Sequence, residues 1–96
     1  MRSVQVTDVP NDAQLIDVRE PAEFSTTHAA GAVNLPLSNL AALTDKIDFS
    51  QDVYVICQAG GRSAEATQYL SEVHDGTIIN VAGGTQAWVE AGLPTE

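Results

Sequence analysis

The chain of 96 residues is long enough to bury one hydrophobic core but too short for a second, so residues 1–96 are predicted to form a single domain. Thirteen acidic residues against four basic ones give a formal net charge of −9, which argues against binding to nucleic acid. A single cysteine excludes an internal disulfide, and no cluster of cysteines and histidines offers a metal site, so we expect no metal and no cofactor.

The first half of the sequence predicts short strands that alternate with helical segments. Strands are predicted over residues 3–6, 14–18 and 31–36, each a brief run bounded by turn residues. Pro21 suits the first turn of a short helix, and Ser38 is predicted to cap a longer one. The apolar residues of that longer helix recur at helical spacing: Leu40, Leu43 and Ile47.

The second half continues the alternation. Residues 53–56 are predicted to form a fully apolar strand, and a helix is predicted to begin near Arg62. The apolar stripe of this helix lies at positions i, i+3, i+4 and i+7: Ala66, Tyr69, Leu70 and Val73. Residues 77–81 predict a fifth strand, and a last helix carries Trp88, which we expect to be buried in the core.

Alternating strands and helices predict an α/β fold, in which parallel strands are joined by right-handed crossovers. Ligands of such sheets bind beyond the carboxyl ends of the strands. Asp17, Cys57 and the loop after Val81 all lie at the carboxyl ends of predicted strands. We therefore expect a functional site at this edge of the sheet.

Cys57 lies between an apolar strand and a glycine-bearing turn that leads into a helix. Helix N-termini and neighbouring cations lower the pKa of a cysteine, and the thiolate is the nucleophile. Arg62 is expected to supply the cation. A cysteine that only completes the core strand is the alternative, but the polar, glycine-containing turn favours the reactive interpretation. The residues expected to surround the thiolate and its substrate are Gln58, Ala59, Gly60, Gly61, Arg62 and Ser63.

Three further polar residues near predicted strands each allow two interpretations. Asp17 and Arg19 lie at the end of the second strand, where they form either a turn cap with a surface ion pair or part of the functional site. His28 is either a base or a hydrogen-bonded structural residue, and the structural interpretation is favoured.

Four motifs in order resemble the single-domain rhodaneses, the thiosulfate-type sulfurtransferase family. Residues 15–19 resemble its strand ending in Asp-Val-Arg, residues 28–36 its His-x-x-Gly-Ala segment, and residues 57–63 its active loop. The closing signature is matched by Gly83, Gly84, Trp88, Gly92 and Pro94. The resemblance implies a three-layer α/β rhodanese-like fold, in which helices flank a central parallel five-stranded sheet, with Asp17 and Arg19 as structural support beneath the active loop.

The resemblance also implies a reaction. Cys57 would take a sulfane sulfur from thiosulfate or a persulfide donor, form a cysteine persulfide, and pass the sulfur to cyanide, a thiol or a protein acceptor. Neutral Gln58 and Ala59, together with acidic Glu23, depart from the more basic two-domain thiosulfate enzymes. We therefore expect thiosulfate to bind weakly and a persulfide to be the donor in the cell.

Two other functions remain open. A sulfur-carrier or partner-docking module would need no free-standing turnover, and the sequence does not separate it from an enzyme. A cysteine phosphatase or arsenate reductase also uses a thiolate in an arginine-terminated loop. Those enzymes place the arginine six positions after the cysteine, whereas Arg62 follows Cys57 by five, so this alternative is disfavoured.

The setting expected for the protein is the cytoplasm. The N-terminal residues lack the apolar run of a signal peptide, and no stretch approaches the roughly 18 apolar residues of a membrane span. The expected partners are a small sulfur donor and a thiol, cyanide or protein acceptor, with neither nucleic acid nor membrane among them. The sequence carries no prediction of oligomeric state.

Overall fold

A computed structural model describes residues 1–96. Five parallel strands form one sheet, as predicted, and their order in the sheet is β1-β5-β4-β2-β3. The strands are β1 (Arg2–Val4), β2 (Gln14–Asp17), β3 (Val33–Asn34), β4 (Val53–Ile56) and β5 (Ile78–Val81). The α-helices are α1 (Pro21–Thr26), α2 (Leu40–Leu43), α3 (Gly61–Val73) and α4 (Gly84–Glu90).

Apolar side chains cover both faces of the sheet, which gives the three layers expected. On one face, Ala66 and Leu70 of α3 pack in a cluster with Val53 and Val55 of β4. On the other face, Trp88 of α4 packs in a second cluster, against alternate residues of the same strands. All four residues of β4 are buried, because a central strand between two helical layers has no solvent-facing side.

Trp88 anchors the C-terminal segment, so its predicted burial is confirmed. Its side chain is 7% exposed, and Nε1 donates to the carbonyl of Pro94 at 2.7 Å. A buried indole needs such a partner for its N–H group. This hydrogen bond ties α4 to the chain that follows it.

The register of the central strands sets the position of the site. Asp17, the last residue of β2, is paired with Ile56, the last residue of β4. The N–H group of Val18 then donates to Ile56 O at 3.0 Å, which holds the two chains together just beyond the strands. Residues that follow β2 therefore lie beside Cys57, which follows β4.

The predicted helix after Ser38 is not continuous. The 3₁₀-helix Leu37–Asn39 precedes the four-residue α2, and the 3₁₀-helix Thr44–Lys46 follows it. Ser38 caps neither element; its hydroxyl donates to the carboxylate oxygens of Glu20 at 3.0 and 3.2 Å. Residues three apart meet on a 3₁₀-helix as well as on an α-helix, so the apolar spacing does not distinguish them.

The ends of the outer elements also differ from the prediction. β1 stops at Val4, and Val6 begins the 3₁₀-helix Val6–Asp8 instead of ending the strand. β3 comprises Val33 and Asn34 alone, whereas six residues were predicted. Each of these strands has a pairing partner on one side only, so fewer hydrogen bonds extend it. None of the helices is both long enough and apolar enough to cross a bilayer.

Candidate active site

The active loop, residues 57–63, connects the buried end of β4 to the first turn of α3. Cys57 is 1% exposed, and the N–H group of Gly60 donates to its Sγ at 3.1 Å. Gly60 has a φ of 113°, a value that residues with a side chain rarely adopt. This left-handed residue turns the chain so that the N–H groups at the start of α3 face the sulfur.

The pKa of Cys57 is set by two opposed effects. Burial raises the pKa of the thiol. Hydrogen bonds from the Ser63 hydroxyl and from the N–H groups of Ser63, Gly60 and Ala59 lower it, and together they outweigh burial, so the net change is downward. The Ser63 hydroxyl also lies 3.2 Å from the Gly60 carbonyl oxygen. The hydroxyl has one proton, and a thiolate is a stronger acceptor than a carbonyl oxygen, so we expect ionisation of Cys57 to favour donation from Ser63 to the sulfur.

The guanidinium group of Arg62, which was expected to supply a cation near the thiolate, is hydrogen-bonded to a carboxylate. Its Nη1 and Nη2 donate to Glu23 Oε1 and Oε2 at 2.7 and 2.9 Å. The hydrogen bond from Arg62 lowers the pKa of Glu23 from 4.5 to about 2, and the same bond raises the pKa of Arg62. Hydrogen bonds at the sulfur are the main cause of the lowered pKa of Cys57, and the charge interaction between Cys57 and Arg62 is a smaller cause of the raised pKa of Arg62.

Asp17 and Arg19 form a buried pair, so the interpretation as a surface ion pair is wrong. Asp17 is 0% and Arg19 2% exposed, and Arg19 Nη2 lies 2.9 Å from Asp17 Oδ2. Nη2 also donates to the Thr27 carbonyl at 2.7 Å, while Nη1 donates to Gln58 Oε1 at 3.3 Å. The pair therefore joins the end of β2, the end of α1 and the active loop.

The start of α4 holds the loop from the opposite side. Thr85 donates twice to the Cys57 carbonyl, from its N–H group at 2.8 Å and from Oγ1 at 3.0 Å. The N–H group of Gln86 donates to the Gln58 carbonyl at 3.1 Å. Sequence reasoning did not single out Thr85, because only the Gly-Gly-Thr segment after β5 hints that a helix begins at this edge.

His28 has a structural role, as favoured from the sequence. Its Nδ1 lies 2.7 Å from the carbonyl oxygen of Phe24, and its ring stacks on the Phe24 ring with centroids 3.6 Å apart. No group of three or more acidic, histidine or cysteine side chains is arranged to hold a metal ion.

The sulfur lies beneath the loop surface rather than at the bottom of a deep cavity. The three cavities of the fold, of about 200 to 320 Å³, are lined by residues outside the active loop. Gln58, Ala59 and Gly61 are the exposed residues over Cys57. A substrate must therefore approach across this small surface.

The fold and the site together define a class of protein: a parallel α/β domain with a cysteine held by amide groups at the carboxyl edge of its sheet. The model of the rhodanese-like domain family matches residues 5–91, and the chain belongs to this family.

Relatives of similar sequence have names that correspond to this family. The chain is 39% identical to thiosulfate sulfurtransferase 16, chloroplastic, of Arabidopsis thaliana, over 84% of this chain and 78% of that one. It is 36% identical to the thiosulfate sulfurtransferase GlpE of Vibrio cholerae, over 88% and 79% of the two chains. Among solved structures, a rhodanese-related protein from Thermoplasma volcanium is similar, with a TM-score of 0.91, 33% identity, and coverage of 100% and 98%. These relationships support a sulfurtransferase role at the level of the family.

Proposed function

We propose that the protein is a sulfurtransferase that moves a sulfane sulfur from thiosulfate or a persulfide donor to a thiophilic acceptor through a persulfide on Cys57. The observation that carries the proposal is the environment of the Cys57 sulfur. This sulfur is buried, its pKa is lowered, and the amide donors of the active loop converge on it. The family assignment supports the same conclusion.

In the first half-reaction, the Cys57 thiolate attacks the outer sulfur of thiosulfate. A new S–S bond forms at Cys57 as the original S–S bond breaks, and sulfite leaves with the electron pair of that bond. A persulfide donor reacts in the same way and releases its thiolate. We propose no general base, because the hydrogen bonds at Cys57 lower the pKa of the thiol and so increase the fraction present as thiolate.

In the second half-reaction, an acceptor nucleophile attacks the terminal sulfur of the Cys57 persulfide. With cyanide, the product is thiocyanate and the Cys57 thiolate is regenerated. The N–H groups of Gly60 and Ser63 are fixed before the reaction and stabilise negative charge on either sulfur species. Since Cys57 is the sole cysteine, a thiol acceptor must come from another molecule.

The in-cell partners we propose are a small persulfide or thiosulfate donor and a thiol or protein acceptor, in the cytoplasm. The net charge of −9 disfavours nucleic acid as a partner. An accessible loop without a deep cavity suits an acceptor that presents a single protruding thiol. The same geometry would serve a sulfur carrier, so turnover is the property to measure.

Thiocyanate production from thiosulfate and cyanide tests the proposal directly. We expect multiple turnovers by the native protein and none by Cys57→Ser. Thr67→Val serves as the matched control, because it removes a buried hydroxyl from α3 that donates to Ser63 O and not to the sulfur. Turnover that survives in Cys57→Ser would contradict the proposal. A single turnover only, in the native protein, would favour the carrier.

A further inference from the structure

The two arginines near the active loop are each paired with a carboxylate, so their positive charges are neutralised. Arg62 binds Glu23 through both terminal nitrogens, and Arg19 binds Asp17 through Nε and Nη2. Two guanidinium groups therefore face two carboxylates, and a Cys57 thiolate adds a further negative charge. An approaching anion meets no uncompensated cation at this site.

The two remaining basic residues lie elsewhere. Arg2 is in β1, the edge strand, where it is paired with Ile79. Lys46 ends the 3₁₀-helix Thr44–Lys46, two residues before Asp48, whose carbonyl accepts from the side chain of Gln14 at 2.9 Å. Gln14 is the first residue of β2, so this segment lies at the amino edge of the sheet, opposite Cys57.

Glu23 is held in place by the start of α1. The N–H group of Glu20 donates to Glu23 Oε1 at 3.2 Å, and the two glutamates form a capping box at the helix N-terminus. These hydrogen bonds fix the rotamer of Glu23 in the orientation that places its carboxylate against Arg62. Because the pKa of Glu23 is about 2, the carboxylate stays charged throughout the neutral range.

We propose that Glu23 is a specificity-determining residue. Its carboxylate accepts the hydrogen bonds of Arg62 and neutralises its charge, which disfavours the binding of dianionic sulfur donors such as thiosulfate relative to alkyl persulfides. The inference rests on the proposed function for its biological meaning. A dianion must either break two hydrogen bonds between Arg62 and Glu23 or bind without the arginine. An alkyl persulfide places at most one charge on its reacting sulfur group, so it loses less from the absence of a free cation.

The hydrogen-bonded pair of Arg62 and Glu23 is accessible to solvent and to dissolved anions. The side chains of Arg62 and Glu23 are 38% and 37% exposed, so solvent and ions reach both. Such a pair contributes little to stability, and its removal should leave the fold intact. The effect of Glu23 on anion binding can therefore be separated from its effect on folding.

The first experiment measures thiosulfate binding without turnover. In a Cys57→Ser background, the dissociation constant for thiosulfate is obtained from NMR titration of the loop amides, with and without Glu23→Gln. We expect Glu23→Gln to tighten binding about tenfold, which corresponds to about 1.4 kcal/mol. Glu90→Gln is the matched control, since it makes the same change in net charge at the exposed end of α4.

A double-mutant cycle tests whether the gain in thiosulfate affinity comes from the Arg62 guanidinium, once it no longer binds the Glu23 carboxylate. The gain from Glu23→Gln should disappear when Arg62→Ala is also present. Unchanged thiosulfate affinity in Glu23→Gln, or an equal gain in Glu90→Gln or in the Arg62→Ala background, would overturn the proposal. Glu23→Ala repeats the comparison if Glu23→Gln perturbs α1, and the amide spectrum reports that perturbation.

The second experiment uses the active protein and separates this inference from the proposed function. The ratio of kcat/KM for thiosulfate to that for an alkyl persulfide should rise about tenfold in Glu23→Gln, because both donors use the same thiolate. A protein that transfers sulfur from neither donor would refute the proposed function, while the binding comparison would still decide the role of Glu23. An active protein with an unchanged ratio would refute the role of Glu23 alone.

Discussion

Gly84→Ala is the substitution that tests most sharply how α4 holds the active loop. A Cβ atom at Gly84 would lie 2.5 Å from both the Cys57 and the Gln58 carbonyl oxygens. These carbonyls accept the hydrogen bonds from the first turn of α4, so the helix and the loop cannot separate without losing them. The backbone at Gly84 also has a φ of 61°, in the left-handed region.

The expected cost has two parts. The left-handed backbone contributes about 1–2 kcal/mol for a residue with a side chain, and overpacking contributes about 1–3 kcal/mol more. The free energy of unfolding should therefore fall by about 2–5 kcal/mol. For a domain of this size each kcal/mol lowers Tm by about 4–8 °C, so we expect a decrease of roughly 10–40 °C.

Gly92→Ala is the matched control for this measurement. Gly92 has a φ of 73°, but a Cβ atom there would meet nothing within 4 Å. It should show the backbone cost alone, about 1–2 kcal/mol. Thermal unfolding followed by circular dichroism gives both values, and Cys57 alkylation below Tm reports the loop. Equal destabilisation by the two substitutions, with native Cys57 reactivity in Gly84→Ala, would refute the proposed contact.

Three further predictions concern the thiolate, the core and acid stability. Ser63→Ala should slow alkylation of Cys57 roughly 10- to 100-fold below the thiol pKa, because a hydrogen bond to a charged group contributes about 1.5–3 kcal/mol; an unchanged rate against pH would exclude a Ser63–sulfur bond. Trp88→Ala should lower the free energy of unfolding by about 3–5 kcal/mol in urea titration, whereas a near-native value would show that Trp88 adds little to the core. The pKa of Glu23 is lowered to about 2, so its contribution to stability is complete above pH 4.5 and disappears as the pH falls towards 2. Because the pair is exposed, this contribution is only about 0.2–1 kcal/mol; Glu23→Gln should flatten the acid dependence by that amount, and an identical pH profile would contradict it.

The central strand and the loop after it were predictable because a fully apolar run of this length is stable only when both of its faces are buried. The apolar run that became β4 is buried on both faces, and the glycine-bearing turn after it locates Cys57 without reference to distant residues. The position of Asp17 beside the active loop follows from the same rule, since parallel strands place their carboxyl ends at one edge.

The partners of charged residues were not predictable from local sequence. Arg62 and Glu23 are 39 positions apart, and nothing near either residue indicates that they meet. Arg19 likewise looked like half of a surface pair, yet it is buried because β2 is central in the sheet. Contacts of this kind depend on crossover geometry and become visible only in three dimensions.

The division of the segment after Ser38 into 3₁₀ and α turns was missed for a different reason. Leu40 and Ile47 are both buried, so the apolar pattern correctly marked the side that faces the core. Pattern spacing does not distinguish one continuous helix from short pieces that bury the same residues.

Intact-mass analysis after incubation with thiosulfate, beside Cys57→Ser and followed by addition of cyanide, detects the Cys57 persulfide itself. We expect the native protein to gain the mass of one sulfur at Cys57 and to lose it to cyanide as thiocyanate, while Cys57→Ser gains none. Because thiosulfate is expected to bind weakly, a small alkyl persulfide is used in parallel. A native protein that gains no sulfur from either donor would refute sulfur transfer through Cys57 and would favour the docking and phosphatase functions.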